Sequence, residues 1–85
     1  MTFSKYGHSH VPKELVDQAI NIIESHFWHE DRQYLEIEVS EAIAQLTEIE
    51  DSGTSPWTEY HQALLMSLQL ANANGAGELL LYPEK

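Results

Sequence analysis

The sequence predicts an all-α fold, a small three-helix bundle with a C-terminal apolar tail packed on it. Two observations carry this prediction: apolar residues recur with the 3.6-residue period of a helix in three stretches, and a cluster of glycine, serine and proline separates the second stretch from the third. A chain of 85 residues has room for one domain. We therefore expect a flexible N-terminal lead-in over residues 1–10 and a single helical domain over residues 11–85.

The first helix is predicted over residues 12–28. Pro12 suits the first helical position, because the N–H that proline lacks would have no partner there. The apolar residues of this stretch fall on one helical face and the charged residues on the other. The members of the apolar face are Val16, Ala19, Ile20, Ile23 and Phe27.

The second helix is predicted over residues 32–50, where apolar residues repeat at steps of three and four. The start of this stretch has a second interpretation, because residues 35–39 also alternate between apolar and acidic with the period of a strand. The alternative fold class is therefore α+β, with a short two-stranded pairing of residues 34–39 and 79–82.

The third helix is predicted over residues 56–74, with Ser55 as its N-cap and the pair Asn74-Gly75 as its end. Four consecutive apolar residues follow at 79–82, and we expect this tail to pack back on the bundle. The predicted core takes residues from all three helices: Val16, Ile20, Ile23, Phe27, Leu35, Val39, Ile43, Leu46, Tyr60, Leu64 and Leu68.

The charge of the chain is strongly negative and unevenly placed. Fourteen acidic side chains face four basic ones, a net charge of −10, and no lysine or arginine occurs between Arg32 and Lys85. Such a surface repels the phosphates of nucleic acids and of anionic lipids. We expect a protein partner with a basic or neutral surface and no direct binding to nucleic acid or membrane. The sequence also permits a homo-oligomer.

Several functional classes lack their sequence signals. There is no cysteine, no apolar run near the roughly 20 residues that span a bilayer, and no secretory signal at the N-terminus, so we expect a cytoplasmic protein. Neither a nucleophile elbow nor a glycine-rich loop that opens a helix is present. We therefore expect no enzymatic activity and no cofactor.

The candidate interaction residues combine aromatic anchors with acidic side chains. Trp28 and Tyr34 flank the end of the first predicted helix, and large aromatic side chains are favoured in interfaces. The acidic candidates follow on the second predicted helix: Glu36, Glu38, Glu41 and Glu48.

A histidine pair offers a candidate metal site. His26 and His29 are three residues apart and would share one face of a helix, so that with Glu30 they could supply three ligands. The competing interpretation is that both histidines favour the negative end of the helix dipole.

The function predicted from these features is a small acidic, non-enzymatic protein–protein interaction module, an inhibitor or regulator of a basic partner. Two alternatives accompany it. One is a metal-binding domain that uses the histidines and carboxylates, and the other is an inhibitor whose spaced carboxylates mimic nucleic-acid phosphates.

Overall fold

A computed structural model describes residues 6–53 and 56–84, in which three helices and four strands occur. Their content overturns the three-helix bundle: the fold is α+β, and the all-α prediction is wrong. The elements in chain order are β1 (Tyr6–Pro12), α1 (Lys13–Ile22), β2 (His26–His29), β3 (Tyr34–Glu38), α2 (Val39–Ser52), α3 (Glu59–Ala73) and β4 (Glu78–Glu84).

The four strands form one mixed sheet in the order β1-β4-β3-β2. Strand β4, the last along the chain, lies between β1, to which it is parallel, and β3, to which it is antiparallel. In the centre of the sheet Leu35 lies opposite Leu81 and Ile37 opposite Leu79. The pairing of residues 34–39 with 79–82, the alternative from the sequence, thus describes the centre of the sheet. The C-terminal tail forms strand β4. Its apolar run lies between two other strands, and the backbone has hydrogen-bond partners on both sides there.

Strand β1 takes in residues 6–10, which were expected to belong to a flexible lead-in. The remainder of that lead-in, residues 1–5, lies outside the described residues. Pairing with β4 supplies backbone partners over the whole length of β1, and neither partner is near the other in sequence.

The hydrophobic core lies between one face of the sheet and the three helices. Leu35, Ile37, Leu79 and Leu81 cover that face of the sheet, and each of them is almost completely buried. The helices contribute the other half of the same cluster: Leu15, Val16, Ala19, Val39, Ala42, Leu46, Leu64, Leu65, Leu68 and Ala71. Because all three helices share this cluster, they occupy one layer and the sheet occupies the second.

Most of the predicted core residues are buried or packed against the core, but two predictions are wrong. Ile20 is 36% exposed and Phe27 is 62% exposed. Phe27 was assigned to a helical face, whereas it lies in strand β2, where side chains alternate between the two sides of the sheet.

Helix α1 ends at Ile22, six residues before its predicted end, because the backbone turns to an extended conformation at Ile23. The side chain of Gln45 on α2 bridges this break. Its Nε2 donates to the Ile22 carbonyl oxygen (2.6 Å), and its Oε1 accepts from the backbone N–H of Glu24 (2.9 Å). The chain is then free to continue as β2. The residue that satisfies the end of α1 is thus distant in sequence, and the local period gives no sign of it.

Replacing Gln45 by alanine is expected to lower the free energy of unfolding by about 1–3 kcal/mol, because it leaves two backbone groups at the break without their partner. Urea denaturation followed by circular dichroism measures the loss. The control is Gln69→Ala, at an exposed position of α3, which should change stability by less than about 0.5 kcal/mol. Equal losses in the two variants would show that the bridge contributes nothing.

Helices α2 and α3 both begin later than predicted. Residues 34–38 form strand β3, so the predicted start of the second helix at residue 32 is wrong. Helix α2 ends at Ser52, and the next residue, Gly53, adopts a left-handed φ of 63°. The N-cap of α3 is Thr58: its Oγ1 accepts from the backbone N–H of His61 (3.5 Å), and its own N–H donates to His61 Nδ1 (3.2 Å). The predicted cap, Ser55, lies outside the described residues. Within residues 6–53 and 56–84, no helix has both the length and the apolar character needed to cross a membrane.

Candidate functional site

The sheet face opposite the helices, called the open face below, carries most of the aromatic and histidine side chains of the strands. Side chains alternate along a strand, so the burial of Leu35 and Ile37 in the core places their neighbours on the open face. The strand register extends this alternation across the sheet. The described residues of the open face include His8, His10, Phe27, His29, Tyr34, Glu36, Glu38, Glu78, Leu80 and Tyr82.

Six of these side chains form a continuous line of ring contacts across all four strands, called the ring row below: His8, His10, Tyr82, Tyr34, His29 and Phe27. The ring centroids are separated by 5.8 Å for His8–Tyr82, 5.3 Å for His10–Tyr82, 5.2 Å for Tyr82–Tyr34, 4.4 Å for Tyr34–His29 and 4.7 Å for His29–Phe27. Four of these contacts join neighbouring strands, and cross-strand contacts of this kind each stabilise a sheet by roughly 0.2–1 kcal/mol. The row also presents a nearly unbroken aromatic surface.

The exposure of the open face varies along the ring row. Phe27, at the edge, is 62% exposed, whereas Tyr34 and Tyr82 in the middle are half-buried. Leu80 lies beside them and is only 6% exposed, although it is not part of the core cluster that the helices cover. The centre of the open face therefore has an apolar floor.

The charge of the open face is negative. Glu38 lies directly opposite Glu78 on the neighbouring strand, and like charges in that position repel each other. Glu36, two residues before Glu38, accepts a hydrogen bond at Oε1 from His29 Nε2 (3.0 Å). No lysine or arginine occurs in the described strands. A cation that approached this face would meet carboxylates and no lysine or arginine on the described strands, although three histidines lie on the face and Arg32 of the β2–β3 turn lies near Tyr34.

Two tyrosines have shifted acidities. Partial burial raises the pKa of Tyr34, and the nearby charge of Arg32 in the β2–β3 turn opposes that effect. On the helical side, the pKa of Tyr60 is raised chiefly by its hydrogen bond to Glu14 Oε2 (3.1 Å), which joins α3 to α1. Both phenols are therefore neutral near pH 7 and retain their O–H as a donor.

The structure divides the predicted interaction residues among three surfaces. Tyr34, Glu36 and Glu38 share the open face, since all three lie on β3 at alternate positions. Trp28 lies on the opposite side of the sheet, partly buried, in a groove of about 460 Å³ that it shares with Ile20 and other residues.

The two remaining acidic candidates, Glu41 and Glu48, lie on the exposed side of α2. The four acidic candidates that were expected on one helix are therefore divided between a strand and a helix: Glu36, Glu38, Glu41 and Glu48. The predicted mimicry of nucleic-acid phosphates relied on one continuous acidic helix, and residues 34–52 do not form one.

The histidines of the predicted metal site do not converge. His26 and His29 lie at odd spacing in a strand, so their side chains point to opposite faces of the sheet. His26 Nδ1 donates to the carbonyl oxygen of Ile23 (2.6 Å), while His29 pairs with Glu36. In the part of the chain that the structure describes, no group of three or more candidate ligands could hold a metal ion. Metal binding by His26 and His29 stays a prediction, and among the described residues the two side chains do not share a set of ligands.

The sequence pointed to part of the open face and missed the rest. The helix predicted over residues 12–28 assigned Phe27 to the core, and His29 was predicted as a metal ligand. His8 and His10 fell within the predicted lead-in. The alternation over residues 35–39 was the available signal for β3, but only the register with β4 shows that Tyr34 meets Tyr82. No family model matches the chain, and no curated protein or solved structure is significantly similar to it. The function is therefore inferred from the open face.

Proposed function

We propose that the protein is a non-enzymatic interaction module that binds a basic partner protein through its open face. The observation that carries the proposal is the ring row, which crosses all four strands on the face away from the helices and is bordered by carboxylates. The ring row and its carboxylates are the surface through which the predicted interaction module would bind its partner.

The aromatic character of the open face supports a protein partner. Interface centres are enriched in large aromatic side chains, because these bury much area at a small cost in conformational entropy. Phe27 leaves most of its ring in water in the free protein, and a partner that covered it would remove that apolar surface from water. The ring row supplies the adjoining contacts.

The charge of the open face supports a basic partner. Glu38 and Glu78 repel each other across the strands, and the whole chain has a net charge of −10. Positive groups of a partner would relieve that repulsion and would also speed the encounter by long-range attraction. Binding is then expected to weaken as salt is added.

The shape of the surface supports a binding role rather than catalysis. The ring row lies on a sheet face that the helices leave open, whereas enzymes generally enclose small substrates in a concave cleft. Its one histidine–carboxylate contact, His29 with Glu36, also joins neighbouring strands of the sheet and so contributes to the sheet itself.

Affinity capture from cells with two matched variants tests the proposal. Phe27→Ser and Leu70→Ser each remove one exposed apolar side chain, 62% and 66% exposed, from the open face and from the helical layer respectively. We expect one basic protein to be captured by the wild type and by Leu70→Ser but not by Phe27→Ser. The purified pair should then bind directly, with Phe27→Ser raising Kd by about tenfold or more.

Two results would contradict the proposal. One is a captured partner that Phe27→Ser retains at the wild-type level, which would place the interface elsewhere. The other is capture that is unchanged between low and moderate salt, since the charge of the open face would then have no part in binding. Circular dichroism of both variants checks that they remain folded.

A further inference from the structure

We infer that the open face recognises arginine side chains in an extended segment of its partner, with the guanidinium group lying over paired tyrosine rings beside a carboxylate. This inference rests on the proposed function, because it names the chemistry of the partner. The four side chains that would form the arginine subsite are Tyr34, Glu36, Leu80 and Tyr82.

The arginine subsite is formed where β3 and β4 pair. Glu36 lies opposite Leu80, and at the next open-face positions Tyr34 meets Tyr82 with ring centroids 5.2 Å apart. Positions two residues apart on one strand are separated by about 6.5–7 Å. Two phenol rings, one apolar side chain and one carboxylate therefore surround a patch comparable in length to an arginine side chain.

The subsite offers a match for each part of arginine. A guanidinium group is planar, so it can stack on the part of the two tyrosine rings that the neighbouring histidine rings leave exposed, and its N–H groups form a fork that suits a carboxylate. The aliphatic stem can lie along the exposed parts of the tyrosine side chains, while Leu80, which is only 6% exposed, closes the base of the subsite. His29 holds Glu36 through one oxygen, and an ionised carboxylate retains further acceptor positions for the guanidinium.

A second cation fits the next pair along the strands. Glu38 and Glu78 lie opposite each other, one open-face step beyond Glu36 and Leu80. Alternate side chains of an extended peptide have the same spacing of about 6.5–7 Å. The pair Tyr34 and Tyr82 lies two such steps, about 13–14 Å, from the paired glutamates, so arginines four positions apart in the segment could place one guanidinium on the tyrosines and another between the glutamates.

Two other ligands fit the open face less well. Nucleic-acid bases also stack on aromatic rings, but they bring phosphates, and the described strands offer these carboxylates and no lysine or arginine. A lysine ammonium is compact and strongly hydrated, so it can meet the carboxylates but gains less from the rings. The combination of ring surface and negative charge therefore selects the guanidinium.

Fluorescence anisotropy with four labelled probes tests the inference: a synthetic peptide in which arginine alternates with threonine, its lysine and citrulline counterparts, and a short oligothymidylate. We expect the arginine peptide to bind about tenfold more tightly than the lysine peptide, and the citrulline peptide and the oligothymidylate not to bind measurably. The variant Glu36→Gln should weaken the arginine peptide by about tenfold and remove most of its advantage over lysine. The control Glu48→Gln removes one charge from α2 and should change Kd by less than about twofold.

Equal affinity for arginine and lysine peptides would overturn the inference, as would equal effects of Glu36→Gln and Glu48→Gln. Tighter binding of the oligothymidylate would overturn both the inference and the proposed function. If instead a basic partner is captured in a Phe27-dependent way while arginine and lysine peptides bind equally, the proposed function stands and the arginine subsite does not.

Discussion

Replacing Leu80 by proline is expected to unfold the protein at room temperature, whereas replacing it by isoleucine is expected to leave the fold intact. Strand β4 has β3 on one side and β1 on the other, so the backbone of Leu80 lies in the interior of the sheet. Proline removes the N–H that a central strand needs for its ladder of hydrogen bonds, which is why proline within sheets is confined to edge strands, strand ends and bulges. Isoleucine keeps the N–H and a similar side-chain volume.

Far-ultraviolet circular dichroism and urea denaturation of the two variants measure this difference. The natural Pro83 is consistent with the argument, because the pairing with β3 ends at Leu81 and only β1 continues beside Pro83. A folded Leu80→Pro protein with wild-type stability would contradict the central position of β4.

The second large effect is expected at Leu68 in α3. Its side chain is fully buried in the shared core, so Leu68→Ala removes apolar contacts and leaves a cavity. Substitutions of this kind cost about 2.7–5 kcal/mol, and small domains have only about 5–15 kcal/mol in total. We therefore expect the urea midpoint to fall sharply and a measurable unfolded fraction to appear on mild heating.

Leu70→Ala is the matched control for Leu68→Ala, since it makes the same change two residues away on the same helix. Leu70 is 66% exposed, so its loss should cost less than about 0.5 kcal/mol beyond the small difference in helix propensity. Similar losses at the two positions would contradict the burial that places α3 against the sheet.

Helix α3 was predictable because its signals are local. Leu64 and Leu68 repeat with the helical period, and Gly75 follows the last turn with a left-handed φ of 80°. The stretch around His26 was not predictable in this way. A helical pattern continues through it, yet α1 stops where Gln45 on another helix bonds the backbone of Ile22 and Glu24. Period alone cannot distinguish the two outcomes, since the deciding hydrogen bonds come from a distant residue.

The same limit applies to the open face. The alternation over residues 35–39, within the alternative strand 34–39, placed Tyr34, Glu36 and Glu38 on one side of a possible strand, and that part was available from the sequence. Their neighbours were not, because Tyr82 becomes adjacent to Tyr34 only through pairing between strands far apart in the chain. Composition supplied the negative charge, but the aromatic character of the face depends on the register.

The central position of β4 has a consequence for the order of events during synthesis. Strand β1 is made first, yet its sheet partner β4 is the last of the four described strands to leave the ribosome, so β1 has no sheet partner until β4 has been made. Contacts this distant in sequence also slow folding. Since the ring row needs Tyr82 of β4 to join His10 to Tyr34, the proposed binding surface forms only after β4 has paired. A partner that binds this surface would bind only chains in which β4 has paired, and would shift the folding equilibrium towards the native state.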